Sequence, residues 1–280
     1  MTEDQEPMVH FPVEKWGELQ NAFKADWPRG LLGFAILEVQ KRWKKHSIDF
    51  NFTVYCPFGD ISNGLFAVNV KNSFYEIVVL CPKDDTRKLE EALEKTKLID
   101  WNQEVCVPYA PHNVVKCLLN LIPRIGMELT KTIELETFIL EKAAFEDVCL
   151  PPNMTFGPIT QDNLALVDST WRFRYSSSPW YFQLLMNANC SHGLYLDNNL
   201  ISWVFFKESG CLLHLFTIEE HRSKGYAELL LKLVSNVRLN DGIPVFAFCL
   251  KDNYNACKLY RKIGFVQTKP ITWCFLNKKI

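Results

Sequence analysis

Three features that often assign a sequence to a functional class are missing from this chain. No hydrophobic run approaches the ~20 residues that a helix needs to cross a bilayer. The formal net charge is −1, so no strong overall field attracts nucleic acid or an anionic membrane. The ten cysteines include no C-x-x-C pair, the spacing typical of zinc and thioredoxin-type sites. We therefore expect no nucleic-acid partner, no membrane partner and no metal.

The cysteines and the N-terminus also lack the marks of a secreted protein. Several cysteines lie in apolar stretches such as 78–81 and 246–249, where a free cysteine behaves as a small hydrophobic residue. Unclustered cysteines are typical of a reducing compartment. Residues 1–7 carry three acidic side chains and no apolar segment, unlike a secretory signal or a mitochondrial presequence. From these residues we expect a cytoplasmic protein.

What is present is a globular composition, with 48% hydrophobic and 22% charged residues over 280 positions. Two prolines, Pro151 and Pro152, disfavour both helix and sheet, so we place a boundary at 146–153 and expect domains at 1–150 and 151–280. The C-terminal part has 14 Lys and Arg against 9 Asp and Glu, whereas the N-terminal part has 17 against 23. A basic C-terminal domain suits an anionic small ligand, although an uneven solvated surface would give the same counts.

The N-terminal part has the pattern of a mixed α+β domain. Apolar residues at helical spacing, such as Trp16, Leu19 and Phe23, alternate with strand-like runs. We expect helices at 16–23, 31–45, 83–97 and 113–121, and strands at 50–56, 65–70, 74–81 and 130–140. Asp84 or Asp85 is the candidate N-cap of the third helix. No glycine-rich nucleotide loop and no internal repeat is visible.

The C-terminal part predicts a mixed sheet with helices. Turn residues at 198–199 and 209–210 divide a meander of short strands, because Asn and Gly tolerate the positive φ of tight turns. We expect strands at 155–159, 193–197, 200–207, 211–218, 244–250 and 271–276, and helices at 160–171, 180–188, 224–238 and 253–262.

The most informative segment joins an apolar strand at 212–218 to an amphipathic helix through Arg222-x-x-Gly225-x-Ala227. Backbone N–H groups at a helix start are unpaired, and the helix dipole adds positive potential there. Gly225 lets the backbone approach a ligand, and Arg222 and Lys224 add positive charge. This strand–loop–helix unit predicts a phosphate site.

A second segment runs from Asn253 through Tyr260 to Gly264 and Phe265. Together with the Arg-x-x-Gly-x-Ala loop it resembles the GCN5-related N-acetyltransferase (GNAT) superfamily. The resemblance implies that acyl-CoA or acetyl-CoA is the co-substrate, with its pyrophosphate at the loop and its pantetheine arm against Asn253. It also implies that Tyr260 protonates the departing thiolate. The coenzyme site would comprise Leu215, Phe216, Thr217, Arg222, Ser223, Lys224, Gly225, Tyr226, Ala227 and Asn253.

A narrower resemblance covers both halves of the chain. The segments 166–173, 200–203 and 217–222, with 74–82 and 99–103 in the N-terminal part, resemble the glycine N-acyltransferase family. This resemblance implies acyl transfer from acyl-CoA to a small-molecule amine, such as the amino group of glycine, by direct attack in a ternary complex. Mammalian members are mitochondrial, so that location is the alternative to a cytoplasmic one. The oligomeric state is left open.

The chain departs from that family at the general base. Where the family has an acidic residue at the start of the strand before the loop, this sequence has Cys211, whose ordinary pKa of about 8.5 makes a poor base for an ammonium group. His214 is the candidate base, since its ordinary pKa of about 6.5 suits proton removal. It could equally be a buried histidine satisfied by a neighbour. Glu208 is a weaker candidate that reads as a charged turn residue.

The acceptor is expected near Trp171, Arg172, Phe173 and Arg174, where an arginine could bind a carboxylate. The other reading is that these arginines are solvated and the aromatic rings belong to the core. Two alternatives to an amino-acid acyltransferase remain. One is a protein or polyamine N-acetyltransferase, and the other is a CoA-binding module without activity.

Overall fold

A computed structural model describes residues 5–48, 51–71, 74–141 and 144–279 of the chain. The chain divides into two compact units. Unit 1 comprises Met1–Glu136 and Lys269–Ile280, and unit 2 comprises Thr137–Thr268. Residues 1–4 of the acidic N-terminal segment, and Phe50 of an expected strand, lie outside the described residues.

The first half of the chain contains ten regular elements in the described ranges. They are β1 (Met8–His10), α1 (Trp16–Ala25), α2 (Leu31–Lys45), β2 (Thr53–Pro57), β3 (Leu65–Lys71), β4 (Phe74–Leu80), α3 (Arg87–Lys95), β5 (Val105–Ala110), α4 (His112–Leu121) and β6 (Met127–Leu140).

The second half contains ten further elements in the described ranges. They are β7 (Met154–Gly157), α5 (Leu164–Ser169), α6 (Ser178–Asn187), β8 (Ser191–Leu196), β9 (Asn199–Phe206), β10 (Leu212–Thr217), α7 (Tyr226–Asn240), β11 (Val245–Leu250), α8 (Tyr254–Lys262) and β12 (Val266–Lys278).

Helices and a mixed sheet form each unit, as the sequence pattern predicts, so the mixed α+β fold class is confirmed. In unit 1 the strands follow the order β1-β2-β3-β4-β5-β12, and β4 and β5 are the parallel pair. In unit 2 the order is β7-β8-β9-β10-β11-β6, and β10 and β11 are parallel. The last four residues of β6 belong to unit 2, whereas residues 269–278 of β12 belong to unit 1.

The expected domain boundary and the observed division differ. The segment 146–153 does lie between β6 and β7, but the units separate after Glu136, inside β6. The C-terminal residues 269–280, expected in the second domain, are part of unit 1. Hydrophobic periodicity reports local structure and carries no information on which distant strand a strand will join.

The core of unit 1 forms where amphipathic helices cover the sheet. Leu89, Ala92 and Leu93 of α3 are fully buried, and they lie on one helical face three or four residues apart. Cys274 and Leu276 of β12 are buried in the same cluster. The C-terminal strand therefore contributes directly to the hydrophobic core of unit 1.

Turn geometry in unit 2 follows the predicted chemistry with a shift of one residue. The β8–β9 turn places Asp197 and Asn198, rather than residues 198 and 199, at positive φ of 48° and 66°. The β9–β10 turn has Gly210 at φ 89°. Asp, Asn and Gly are the residues that tolerate this region of backbone space at least cost. None of the helices in the described part of the chain is long and apolar enough to cross a membrane.

Candidate functional site

The strand–loop–helix unit is formed by β10, a short 3-10 helix at Glu219–His221 and α7. Gly225 precedes α7 and has φ 83°. An added Cβ would meet nothing within 4 Å, so glycine is needed at this position for its backbone conformation and not for close packing. Within the described residues, no side chain bonds the N–H groups at the start of α7. These N–H groups therefore remain available to an anion.

Positive charge lies beside this helix start. Arg222 is exposed, its Nε donates to the Thr217 carbonyl at 3.0 Å, and its guanidinium lies 5.3 Å from the Phe216 ring centroid. Ser223, with φ 60°, and Lys224 are exposed in the same loop. The anchored Arg222 reaches back to the strand, so the loop keeps a fixed cation next to the free N–H groups.

A β-bulge interrupts β10 just before the loop. The pairing with β9 passes from Leu213↔Phe205 to Phe216↔Trp203, so β10 has one residue more than β9 between these points. His214 in the bulge has φ 51°. Residues 213–217 are half-buried, whereas 200–206 of β9 are buried. Leu215, Phe216 and Thr217 therefore present a partly open face.

Ser202 on β9 stabilises the end of this face. Its hydroxyl donates to the Phe216 carbonyl at 2.8 Å and lies 2.8 Å from Thr217 Oγ1. No sequence signal indicates this role, since an isolated serine in an apolar strand has many possible partners. The contact holds β10 in register beyond the bulge.

The His214 side chain turns away from solvent toward α5. Its Nε2 lies 2.9 Å from the Val167 carbonyl and 3.3 Å from Thr170 Oγ1. A carbonyl oxygen only accepts, so Nε2 carries the proton and Nδ1 is the basic nitrogen. Five aromatic rings among the described residues have centroids 5.5–6.4 Å from the imidazole: Trp171, Phe182, Trp203, Phe205 and Phe216.

Burial among these rings lowers the pKa of His214 to about 4, and the hydrogen bond to Val167 and the charge of Asp168 only partly oppose that effect. The imidazole is therefore neutral at neutral pH. A base with so low a pKa has little driving force for taking a proton from an ammonium group.

Tyr260 on α8 is buried with 6% of its surface exposed. Its ring lies 5.3 Å from Phe138 and 5.2 Å from Phe265. Burial raises the pKa of Tyr260 well above its ordinary value, and the nearby thiols of Cys211, Cys249 and Cys257 add to that shift. The phenol therefore keeps its proton at neutral pH and is available as a hydrogen-bond donor.

The cysteines around Tyr260 were not expected at the site. Cys249 Sγ and Cys257 Sγ are 3.7 Å apart, with Cys249 on β11 and Cys257 one turn into α8. Both thiols are buried. A short turn joins β11 to α8, so a cysteine late in the strand and a cysteine early in the helix come into contact. The sequence spacing of the two cysteines does not indicate this contact. Within the described residues, no group of three His, Cys, Asp or Glu side chains could hold a metal ion.

Asn253 stands at the N-terminus of α8. Its Oδ1 accepts from the Ala256 N–H at 3.3 Å, which makes it the N-cap of the helix. The residue is exposed. This cap fixes the start of the helix that carries Tyr260; contact with a pantetheine arm stays a prediction.

On the expected acceptor side, the two arginines differ. Arg174 Nε lies 2.5 Å from Oδ2 of the buried Asp168, which also accepts from Ser178, so Arg174 is held in an ion pair. Arg172 is exposed, and its guanidinium lies 5.8 Å from the Phe173 ring centroid. Phe173 is 56% exposed. Arg172 is therefore the arginine better placed to bind a carboxylate.

Glu208 is not a solvated turn residue. Its side chain is fully buried and accepts a hydrogen bond from the hydroxyl of Tyr181. The neighbouring residues Lys207 and Ser209 suggest an exposed position. The sequence does not reveal the burial because it depends on a contact with α6, which is distant along the chain.

A cavity of about 390 Å³ adjoins the loop on the side of α7. Phe145 N–H donates to Asn236 Oδ1 at 2.6 Å and its carbonyl accepts from Asn236 Nδ2 at 2.8 Å, so the segment after β6 is fastened to α7. Carboxylates from Glu146, Asp147 and Glu228 line this cavity. Gly225 and Lys232 line it as well, and Glu228 is ion-paired with Lys232 at 2.8 Å and with Lys262 at 2.5 Å, so the lining has mixed charge. An anion site at the loop stays a prediction.

Comparisons with known proteins found a matching family model and several structures of similar fold. The FR47-like protein family model matches residues 191–274, which run from β8 into β12. A Drosophila structure is similar over 99% of this chain and 100% of its own, with 18% identity and a TM-score of 0.82. A GCN5-related N-acetyltransferase from Sphaerobacter thermophilus is 14% identical over 96% of this chain and 94% of its own, with a TM-score of 0.54.

A tandem GNAT protein from the clavulanic acid biosynthesis pathway is also similar, with 14% identity, 96% of both chains covered and a TM-score of 0.53. No curated protein matches. The chain thus has the fold of the GNAT acetyltransferases, and the FR47-like match supports the GNAT superfamily that the motifs predicted. The glycine N-acyltransferase resemblance stays a prediction.

Proposed function

We propose that the chain transfers an acyl group from acyl-CoA to the amine of an amino acid such as glycine. The observation that carries the proposal is the uncapped start of α7, with Gly225 at positive φ and Arg222 anchored beside it, directly after a bulged strand. This arrangement offers the pyrophosphate of the coenzyme free N–H groups and a cation. The bulge in β10, a few residues before this loop, would place backbone groups beside the thioester of the same coenzyme.

The proposed reaction is a direct transfer. The neutral amine attacks the thioester carbonyl, a C–N bond forms, and the C–S bond breaks to release a thiolate. A backbone N–H of the bulge, at His214 or Leu215, would stabilise the oxyanion. The Tyr260 phenol would pass its proton to the sulfur as the C–S bond breaks, and the proton that the attacking nitrogen loses would return to the phenol, so that an amide and the CoA thiol are the products. Holding the amine and thioester together can itself supply roughly 7–11 kcal/mol of the barrier reduction.

Of the two roles that the sequence left open for His214, the geometry favours the satisfied buried histidine. Its Nε2 is committed to Val167 and its pKa is lowered to about 4. We propose that His214 is a positioning residue, which holds the bulged backbone where the oxyanion forms. The amine would then bind in its neutral form or lose its proton to solvent.

Arg172 supports an amino acid as the acceptor. It is exposed beside Trp171 and Phe173, and a planar guanidinium binds a carboxylate through two parallel hydrogen bonds. Polyamines and lysine side chains lack a carboxylate at that position. In the proposal, Arg172 therefore separates amino acids from other amines.

The test is release of free CoA, followed by thiol titration, for a panel of acyl-CoAs. Each is offered glycine, other amino acids, a polyamine and a lysine peptide. Turnover with amino acids, reduced strongly in Arg172→Gln, is the expected result. Turnover only with the polyamine or peptide would replace the acceptor assignment. Acyl-CoA binding without turnover on any acceptor would contradict the enzymatic role.

A further inference from the structure

The two halves of the chain repeat the same order of elements. Strand, two helices, three strands, helix, strand, helix and strand follow one another in β1–β6 and again in β7–β12. In each unit the third meander strand pairs in parallel with the strand that follows the next helix. These pairs are β4 with β5 in unit 1 and β10 with β11 in unit 2. The strand orders also correspond, and the ends of the terminal strands are exchanged: residues 137–140 of β6 belong to unit 2, and residues 269–278 of β12 belong to unit 1.

We infer that unit 1 is a duplicated acyltransferase unit whose coenzyme site has been lost, so that the chain binds one acyl-CoA, in unit 2. The inference rests on the proposed coenzyme site of unit 2. What it adds to that proposal is that the corresponding site in unit 1 is blocked. Three contrasts between equivalent elements support it.

The first contrast is the helix start after the central strand. In unit 2 the start of α7 lacks a side-chain cap, whereas in unit 1 Asp85 Oδ1 accepts from the Arg87 N–H of α3 at 3.1 Å. Asp84 adds a second carboxylate, paired with Arg29. The hydrogen bond from the Arg87 side chain lowers the pKa of Asp85, so it is ionised. The carboxylate already occupies an N–H group of the helix start, and its ion pair with Arg87 at 2.6 Å takes up a cation that a phosphate would need.

The second contrast is the central strand itself. The pairing of β4 with β3 runs without a shift from Leu65↔Leu80 to Val68↔Ile77, while β10 has its bulge. Residues 76–80 of β4 and all of β5 are buried, whereas 213–217 of β10 are half-buried. The face that would hold a pantetheine arm is therefore filled by side chains in unit 1.

The third contrast is the helix after the parallel strand. Asn113 near the start of α4 donates through Nδ2 to the carbonyls of Cys81 at 3.2 Å and Lys83 at 2.8 Å. This amide fastens α4 to the loop that corresponds to the phosphate loop. Counted from the helix starts, Leu118 of α4 stands where α8 has Tyr260. Leucine cannot protonate a thiolate.

The test is calorimetric titration of the full chain with CoA. We expect one CoA bound per chain. Lys224→Asp places a carboxylate two residues before α7, as Asp85 is placed before α3, and should weaken binding at least 10-fold. Lys224→Asn removes the positive charge alone and is the matched control. The reverse change, Asp85→Lys in unit 1, should leave both the affinity and the count of one unaltered.

The alternative outcomes separate the two proposals. Two CoA molecules per chain, or a changed CoA affinity in Asp85→Lys, would overturn the inference about unit 1 alone. Unchanged affinity in Lys224→Asp would contradict the site in unit 2 and the inference with it. Undetectable CoA binding to the folded wild-type chain would overturn the proposed site in unit 2, and the count of one with it.

Discussion

At the scale of single residues, Tyr260 has a packing role beside its proposed role as proton donor. The phenol lies between Phe138 and Phe265, so removal of the hydroxyl keeps the ring contacts. General acids contribute roughly 10²–10⁴-fold to rates, and we expect Tyr260→Phe to lower kcat by about 10²-fold with little change in KM for acyl-CoA.

Tyr195→Phe is the control for this change. It deletes another hydroxyl of unit 2, which donates to the Pro158 carbonyl at 2.7 Å, and should leave kcat near the wild-type value. Steady-state kinetics of both variants decides the matter. Undiminished kcat in Tyr260→Phe would rule out the acid role.

Two buried histidines predict acid sensitivity of the fold. Burial lowers the pKa of His192 and of His214 to about 4, from an ordinary value of 6.5. The unfolded chain binds protons at these sites below pH 6.5, whereas the folded chain binds them only near pH 4. Stability is therefore lost as pH falls from 6.5 to 4, by up to about 1.4 kcal/mol per pH unit for each histidine.

His192→Phe tests this expectation. The imidazole is stacked on Phe156 with centroids 5.4 Å apart, and a phenyl ring keeps the stacking without titrating. Urea unfolding between pH 7 and pH 4.5 should show a shallower loss of stability in the variant than in the wild type. Parallel curves would show that His192 is not protonated on unfolding in this range.

At the scale of elements, two glycines with positive φ flank α7, and their substitution can distinguish an effect on stability from an effect on ligand binding. Gly225 and Gly242 have φ 83° and 69°, and an added Cβ meets nothing at either position. Substitution by alanine should cost roughly 1–2 kcal/mol of stability at each site. Only Gly225→Ala should also weaken CoA binding, because it alters the N–H groups at the helix start.

Gly242→Ala is the matched control, since it stands beyond the other end of the same helix. Chemical denaturation measures the two stability losses, and calorimetry measures CoA affinity. Equal CoA affinity in the two variants would argue that the coenzyme does not use the start of α7.

At the scale of the whole molecule, the exchanged terminal strand predicts that unit 1 depends on the end of the chain. Truncation after Thr268 removes Cys274 and Leu276 from the core of unit 1 and leaves β5 without its partner β12. Burying one leucine contributes roughly 1.5–3 kcal/mol. We expect unit 1 to lose protection from hydrogen exchange, most clearly in β5.

A shorter truncation after Leu276 is the control, because it keeps the paired residues Thr272–Leu276 of β12. Its exchange pattern should match that of the full chain. If β5 stayed protected in the longer truncation, then β12 would not be needed to complete unit 1.

Much of this organisation follows from the sequence alone. The helix over Leu31–Lys45 and the meander of β8, β9 and β10 are set by local periodicity and turn residues, so they could be predicted. The loop from Arg222 to Ala227, with its glycine before an amphipathic helix, could be predicted for the same reason; binding of a phosphate there stays a prediction.

Tertiary structure alone decided the rest. The burial of Glu208 against Tyr181, the bond from His214 to Val167, and the thiols around Tyr260 join residues distant in sequence. The exchange of β6 and β12 and the repeated order of elements are also long-range. Side-chain identities in unit 1 no longer match those of unit 2, but the packing of strands and helices tolerates many sequences with the same pattern of hydrophobic residues. The repeat therefore persists in the fold after it has become invisible in the sequence.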